Sequence, residues 1–371
     1  MIPDDLPPNP YVLLTPGPLS TTKGVRAAML RDWCTWDDDF GKVVQDIRAR
    51  LTALATAHAG YTSVLMQGSG TFCVEATLGT VVPPESGLLV VANGAYGERM
   101  GTIAARLGIP HRMLRFPETE ACSADSILNA LRGDDATTHV AVVHCETTTG
   151  LLNPLERIAA AVRESGRTLI VDAMSSFGGI PLDVGKHGID FLISSANKCI
   201  QGVPGFGFVI ARREALAACK GRSRSLSLDL HDQWVTMEEQ HGKWRFTAPT
   251  HTVHAFSQAL DELRTEGGVG RRHKRYSANA GMLVKGMQRL GFECLLPEEL
   301  RSPIITTFRN PADPAYAFPL FYNELKQRGF VIYPGKVSNA DTFRVGTIGD
   351  VTPTTIRSFL TAAADSMYWK K

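Results

Sequence analysis

The sequence predicts an α/β protein in which a mostly parallel sheet is covered by helices on both faces and is followed by a smaller α+β domain. Two observations predict this. Short apolar runs alternate with helix-like segments through the first two thirds of the 371 residues, and the pattern changes near residue 270. Nearly continuous apolar strands separated by helices are typical of a parallel sheet that is buried on both sides.

Seven apolar runs of strand length are followed by glycine, serine, asparagine or other polar residues, which favour turns. They predict a seven-stranded sheet with strands at Tyr61–Gln67, Leu88–Ala92, His111–Phe116, Val140–His144, Thr168–Val171, Phe191–Ile193 and Phe206–Ile210. Between several of them, apolar residues at helical spacing predict helices at Thr71–Val81, Ala95–Leu107, Ala124–Arg132 and Pro154–Glu164.

The second part of the chain begins after a polar stretch, 213–252, a helix at His254–Arg264 and a break at Gly267-Gly268. A basic helix is predicted at Arg271–Leu290, and the final helix at Thr354–Met367. The strands between them are predicted at Ile304–Phe308, Phe330–Tyr333 and Thr342–Val345. We therefore expect a large domain over residues 16–270 and a small C-terminal domain over 271–371, with the N-terminal segment 1–15 packing on the small domain.

The composition of the chain argues against several classes of function. The formal net charge is only +2, which gives no broad basic surface for nucleic acid or anionic lipid. No apolar run is long enough to span a membrane, and the proline-rich start does not resemble a secretory signal. The seven cysteines are scattered without a C-x-x-C pair, which argues against disulfides and against a metal site. We expect a cytoplasmic protein that acts on small molecules.

Two charged residues follow neighbouring strands of the predicted sheet. Asp172 comes directly after one apolar run, and Lys198 follows the next run 26 positions later. Ligands of open α/β sheets bind beyond the carboxyl ends of the strands, so the two side chains could share a pocket. There, an acid can hold a protonated pyridine nitrogen and a lysine can form a Schiff base with a cofactor aldehyde. A structural ion pair is the alternative.

Three further features fit such a pocket. The glycine-rich turn Gln67–Thr71 precedes a helix start, where backbone N–H groups can bind a phosphate; Cys73 excludes the dinucleotide pattern. Tyr96 could stack on a flat ring, or simply pack. Arg344 could bind a carboxylate through its planar fork, or form a structural ion pair. The charged run Arg222–Ser225 could border an anion pocket, and its role stays open.

With these residues, the chain resembles the class-V aminotransferases of pyridoxal-phosphate fold type I. The motifs that carry the resemblance extend through the large domain, and some resemble the branch of the family that acts on an aminophosphonate. They are Leu14–Pro18, Cys34–Asp39, Gln67–Gly70, Asn93–Gly97, Glu146–Gly150, Val171–Gly179, Ser194–Gly202 and His241–Thr247.

The resemblance implies pyridoxal 5'-phosphate as cofactor, transamination of 2-aminoethylphosphonate with pyruvate to phosphonoacetaldehyde and L-alanine, and a homodimer with shared active sites. Lys198 would form the Schiff base and Asp172 would pair with the ring nitrogen. Arg344 would bind the substrate carboxylate, and Thr247 would reach the phosphate in the other subunit. The other implied cofactor contacts are Ser69, Gly70, Thr71, Tyr96, Thr147, Met174 and Asn197.

Other functions remain open from the residues alone. An alanine–glyoxylate or serine–pyruvate type of aminotransferase would share the fold and the Asp172–Lys198 pair. A cysteine desulfurase would need a mobile catalytic cysteine, for which Cys199 is poorly placed directly after the lysine. A small-anion-binding protein without catalysis is a third possibility, which the intact acid–lysine pair disfavours.

Overall fold

The computed structural model describes residues 6–370. Its strands are β1 Val12–Leu13, β2 Tyr61–Gln67, β3 Gly87–Ala92, β4 His111–Arg115, β5 Thr137–Val143, β6 Cys145–Glu146, β7 Leu151–Leu152, β8 Thr168–Asp172, β9 Phe191–Ser195, β10 Phe206–Arg212, β11 Ile305–Arg309, β12 Phe330–Val331, β13 Tyr333–Pro334 and β14 Thr342–Gly346. Its α-helices are α1 Lys23–Ala27, α2 Asp38–Ala55, α3 Gly70–Val81, α4 Ala95–Arg106, α5 Ala124–Leu131, α6 Leu155–Glu164, α7 Val184–His187, α8 Arg213–Ala217, α9 Leu230–Glu239, α10 Thr250–Glu266, α11 Gly268–Arg289, α12 Phe318–Gln327 and α13 Pro353–Asp365.

The main sheet has seven strands in the order β2-β10-β9-β8-β5-β3-β4. Only β10 is antiparallel to its neighbours; the pairs β9–β8, β8–β5, β5–β3 and β3–β4 are all parallel. The expected mostly parallel seven-stranded sheet is therefore confirmed. The middle strands β5, β8 and β9 are buried along nearly their whole length, as expected from their apolar sequences. Strands of this kind occur in sheets that are covered on both faces.

A large hydrophobic core joins this sheet to the helices on its two faces. It takes in the buried side chains of β2, β3, β5, β8, β9 and β10 and the apolar faces of helices such as α2, α3, α6 and α10.

The acidic run at Asp37–Asp39 begins α2, with Asp38 and Asp39 in its first turn, where negative charge is favourable. The polar stretch also contains α8 and α9, which its mixed composition did not predict.

The last part of the chain forms a second cluster around a three-stranded sheet, β11-β14-β13. The N-terminal β1 pairs with β12, and Leu14 is buried in this second cluster. The predicted strand Phe330–Tyr333 is divided, since β12 pairs with β1 while β13 pairs with β14. The domain boundaries at 15/16 and 270/271 stay predictions, and residues 1–5 of the N-terminal segment lie outside the described residues.

The predicted break between two helices is present. Gly267 ends α10 with φ +101°, and Gly268 opens α11 with φ +78°, conformations that side-chain-bearing residues rarely adopt. The turn places α11 against α13 and the small sheet. No helix within residues 6–370 combines the length and apolarity needed to cross a membrane.

Candidate active site

Asp172 and Lys198 come together because the strands before them are parallel neighbours. Asp172 is the last residue of β8, and Lys198 follows the end of β9 by three residues. The Asp172 carboxylate accepts a hydrogen bond from the Met174 amide (2.9 Å), and the Lys198 ammonium donates one to the Pro16 carbonyl (2.9 Å). Both side chains line one cavity at the carboxyl edge of the sheet, as predicted.

Burial changes the protonation of both groups. It raises the pKa of Asp172 to about 6, although the Met174 amide and the charge of Lys198 favour the carboxylate. It lowers the pKa of Lys198 to about 8, and the nearby Asp172 only partly opposes this. Among the described residues, no cation lies within ion-pair distance of the Asp172 carboxylate, so the predicted alternative of a direct structural ion pair with Lys198 is not formed.

Gly17 lets the backbone approach the lysine closely. Its φ is +126°, and a Cβ at this position would lie 2.7 Å from both Cδ and Nζ of Lys198. Any larger residue would therefore displace the amine from the Pro16 carbonyl. This contact explains the place of the Leu14–Pro18 motif, which belongs to the N-terminal segment yet borders the cavity.

The glycine-rich turn forms a second side of the cavity. Ser69, Gly70 and Thr71 stand at the start of α3, where the first turn of a helix leaves backbone N–H groups without partners inside the helix. The Ser69 side chain makes no capping hydrogen bond there, so its hydroxyl is available to a ligand. Gly70 packs against the Met174 side chain, which a Cβ would meet at 2.3 Å.

Eight of the predicted site residues line this cavity: Ser69, Gly70, Thr71, Tyr96, Asp172, Met174, Asn197 and Lys198. Thr147 and Arg344 lie beside it and are joined, because Arg344 Nη1 donates to the Thr147 carbonyl at 2.9 Å. Thr247 is exposed in the segment between α9 and α10, and it is not part of the cavity lining within one chain.

Arg344 is buried in β14 and is held in one orientation. Its Nε donates to the Pro334 carbonyl at 3.0 Å, and its Cζ lies 5.8 Å from the centre of the Tyr333 ring. These bonds use Nε and one hydrogen of Nη1, whereas Nη2 and the second Nη1 hydrogen keep their capacity to donate. The end of the guanidinium therefore presents a two-pronged donor.

Two residues next to the predicted ones were missed by the sequence reasoning. Arg99 lines the cavity and donates to the Thr71 hydroxyl (3.2 Å); it lies one turn after Tyr96 on α4, so helical spacing could have revealed it. Glu146 is fully buried and accepts hydrogen bonds from the Tyr96 amide and from the Thr148 amide and hydroxyl. Burial raises the pKa of Glu146, while these bonds favour its carboxylate.

Comparison with known proteins decides the family. The family model for class-V aminotransferases matches residues 22–323. The chain belongs to the class-V aminotransferases. This class-V aminotransferase has the pyridoxal-phosphate fold type I, and pyridoxal phosphate is its cofactor.

Curated relatives of this aminotransferase match it over nearly their full length. A protein from Syntrophobacter fumaroxidans is 63% identical over 368 residues, covering 99% of both chains, and one from Vibrio cholerae is 60% identical over 364 residues, covering 98% of this chain and 99% of its own. Both are named 2-aminoethylphosphonate–pyruvate transaminase.

Solved structures match the fold of the class-V aminotransferase at lower sequence identity. The alanine–glyoxylate aminotransferase from Nostoc sp. has a TM-score of 0.89 and 24% identity, with 99% of this chain and 98% of that chain covered. The pyridoxamine–pyruvate aminotransferase from Mesorhizobium loti has a TM-score of 0.88 and 23% identity, covering 98% and 93%. At such identities the likeness shows the fold alone.

The cavity fits the cofactor of the family. A buried carboxylate without a cationic partner suits a protonated ring nitrogen, and a lysine with a lowered pKa suits covalent attachment to an aldehyde. The amides and hydroxyls at the start of α3 suit a phosphate group. These three features lie on different elements around one cavity, which is what a molecule with an aldehyde, a ring nitrogen and a phosphate requires.

Proposed function

We propose that this aminotransferase transfers the amino group of 2-aminoethylphosphonate to pyruvate, giving phosphonoacetaldehyde and L-alanine. The observation that carries the proposal is the near-complete match, at 60–63% identity, to relatives named for that reaction. The cavity supports amino transfer independently, since it holds a buried acid–lysine pair, and the charge of the buried Arg344 acts on Lys198.

We propose that the predicted residues hold the cofactor. Lys198 would attach to its aldehyde, Asp172 would pair with its ring nitrogen, and Tyr96 would stack on its ring. When bound, pyridoxal phosphate supplies the carbonyl that takes up the amino group and a ring that accepts an electron pair. The remaining proposed contacts are Ser69, Gly70 and Thr71 at the phosphate, with Asn197 beside them, Thr147 towards the ring hydroxyl, and Met174 against the ring region.

Lys198 moves the proton in this proposal. Burial lowers its pKa to about 8, which favours the neutral amine, so Nζ would be able to accept a proton from the substrate carbon that bears the amino group. The resulting ammonium would then give that proton to the former aldehyde carbon of the cofactor rather than back to the substrate carbon, so that the amino group stays with the cofactor. Asp172 stays ionised when it faces a cationic ring nitrogen, because the opposite charge offsets the desolvation that raises its pKa.

Arg344 binds the carboxylate of pyruvate and alanine in this proposal. The remaining donors of Nη1 and Nη2 match two carboxylate oxygens, and bidentate pairs of this kind fix both distance and direction. The carbonyls of Pro334 and Thr147 hold the guanidinium in place before the substrate arrives. The amino donor and pyruvate would then react at the same position in the cavity. They differ in the anionic group that the enzyme must bind, which is a phosphonate in one and a carboxylate in the other.

We further propose a homodimer in which Thr247 reaches the cofactor phosphate of the partner subunit. Large apolar side chains are exposed beside the relevant residues: Phe72 (51%) next to Thr71, and Phe246 (49%) next to Thr247. Trp36, with 79% of its surface exposed, adds to the apolar area. A second copy that covers these side chains would bring a Thr247 towards the phosphate side of the cavity.

Subunit mixing tests this arrangement. Lys198→Ala and Thr247→Arg subunits should each be inactive when alone, and mixed dimers should regain part of the activity because one of their two sites would be intact. Mass measurement verifies that hybrids form. Hybrids without activity would contradict a shared site.

We infer that the enzyme works in the reducing cytoplasm. All seven cysteines are free thiols, and Cys73, Cys122, Cys145, Cys199 and Cys219 are buried. Burial raises the pKa of each buried thiol, which suits packing and disfavours reaction.

A donor panel tests the reaction itself. The holoenzyme is given 2-aminoethylphosphonate, taurine, β-alanine, serine or alanine with pyruvate or glyoxylate, and the amino acid formed is measured. We expect alanine from 2-aminoethylphosphonate and pyruvate to form fastest. Preference for serine, or for alanine with glyoxylate, would instead assign the enzyme to the related amino-acid exchange reactions.

A further inference from the structure

Three cations lie around Tyr96, a residue that lines the cavity. The Tyr96 ring has the Arg99 guanidinium 5.0 Å and the Lys336 ammonium 5.3 Å from its centre, and Arg344 lies close enough to Lys336 for its positive charge to lower the pKa of that ammonium. Within the part of the chain that the structure describes, none of the three cations makes an ion pair. Like charges that are grouped without an ion-pair partner indicate an anion-binding site.

The charges of this group act on one another. Burial lowers the pKa of Lys336, and the positive charges of Arg99 and Arg344 lower it further, whereas the buried Glu146 opposes them. Glu146 already accepts three hydrogen bonds from its own surroundings. A dianion that binds between these cations would relieve their mutual repulsion, and a single carboxylate would relieve less of it.

The loop that carries Lys336 is fixed across the cleft. It lies between β13 and β14, and the Ser338 amide donates to the Glu118 carboxylate at 2.9 Å, with the Ser338 hydroxyl at 3.3 Å from the same group. Lys336 is thereby held beside the Tyr96 ring although its side chain remains exposed to solvent. An anion entering the cavity meets this ammonium at the rim.

We propose that Lys336, together with Arg99, binds the phosphonate group of the amino donor. The proposal rests on the proposed function and specifies which residues distinguish its two substrates. The planar donor pair of Arg344 matches a carboxylate. A phosphonate has three oxygens in a tetrahedral arrangement and is better bound by separate donors, which Lys336 and Arg99 provide beside the Tyr96 ring.

The test measures the binding of unreactive substrate analogues to the holoenzyme by calorimetry. Ethylphosphonate and propionate have the same two-carbon chain and differ in the anionic group. Lys336→Gln should weaken ethylphosphonate binding about ten- to hundredfold, the effect of losing one charge-assisted contact, and should change propionate binding less than about threefold. Lys336→Arg keeps the charge and should restore most of the affinity for ethylphosphonate.

Lys326→Gln is the matched control, because Lys326 also lies near a tyrosine ring, that of Tyr11, at 5.7 Å in the same part of the chain. It should leave the binding of both analogues unchanged. Unchanged ethylphosphonate binding in Lys336→Gln, or equal weakening of both analogues, would overturn the assignment of Lys336.

Arg99 is tested separately because it also contacts Thr71. The Arg99→Gln holoenzyme, once it is shown to retain its cofactor, should bind ethylphosphonate more weakly than the parent holoenzyme does. Unchanged affinity for ethylphosphonate in that holoenzyme would overturn the two-cation site.

Activity of the parent enzyme separates this inference from the proposed function. A parent holoenzyme that transaminates other donors but not 2-aminoethylphosphonate would refute the proposed function. A parent that accepts 2-aminoethylphosphonate while Lys336→Gln binds ethylphosphonate normally would refute only the phosphonate site.

Discussion

Replacing Asp172 by asparagine should stabilise the cofactor-free protein while it damages the holoenzyme. The folded-state pKa of Asp172 is about 6, above its ordinary value of 3.8, because burial disfavours the carboxylate. An acid with a raised folded-state pKa costs stability above that pKa, and the cost disappears below the unfolded-state value. The difference of about 2 pKa units corresponds to about 3 kcal/mol at pH 8.

Part of the increase in the free energy of unfolding that Asp172→Asn brings is offset by lost interactions. The asparagine carbonyl can still accept the hydrogen bond from the Met174 amide, but Lys198 loses a favourable neighbouring charge. We therefore expect the free energy of unfolding of the cofactor-free Asp172→Asn protein to exceed that of the parent by about 1–3 kcal/mol at pH 8. The difference should shrink by roughly half at pH 5, where the buried acid of the parent is mostly protonated.

Urea unfolding of both cofactor-free proteins at pH 8 and pH 5 measures this effect. Glu299→Gln, which removes an exposed acid from the surface, is the control and should show no such pH-dependent difference. In parallel, a cofactor titration should show that Asp172→Asn still binds the cofactor, and an activity assay should show that it has lost most of its turnover. A variant less stable than the parent at pH 8, or a stability difference independent of pH, would refute the argument from burial.

Three further predictions concern neighbouring residues. Lys198→Ala should abolish amino transfer and covalent cofactor attachment, and borohydride reduction of the parent followed by peptide mapping should label Lys198; a label on another lysine would contradict its role. Arg344→Lys should weaken the binding of pyruvate and alanine by about 1.5–3 kcal/mol and should weaken the binding of 2-aminoethylphosphonate less, as measured in separate half-reactions. A loss confined to 2-aminoethylphosphonate would contradict the assignment of Arg344 to the carboxylate. Gly17→Ala should lower both turnover and stability, because its Cβ would lie 2.7 Å from Lys198 Nζ at a φ of +126°; normal turnover would show that the lysine can move aside.

Much of the site could be predicted because its residues are tied to strand ends. Asp172 and Lys198 follow two apolar runs whose burial on both faces requires a parallel sheet, and parallel neighbours place their carboxyl ends together. The turn at Ser69–Thr71 follows β2, which runs in the same direction as β8 and β9 although the antiparallel β10 lies between them. In each case a local pattern fixed the element and a general property of sheets fixed the place of the side chain.

Other features depended on contacts between segments far apart in sequence. The approach of Gly17 to Lys198 and the bond from Arg344 to the Thr147 carbonyl join residues separated by more than 180 positions. The division of Phe330–Tyr333 between two sheets depends on which strands are available as partners, β1 for one half and β14 for the other. Local hydrophobicity contains no information about either choice.

The sequence by itself determined the fold class, the acid–lysine pair and the glycine-rich turn at Gln67–Thr71, because periodic burial and glycine turns are local properties of the chain. Only the tertiary structure decided the charge of the pocket. Lys336 lies in a loop with no distinctive pattern, and it gains its significance from standing beside Tyr96, Arg99 and Arg344. Electrostatic interaction acts through space, so the grouping of these cations emerges only when the loop between β13 and β14 is folded against the large sheet.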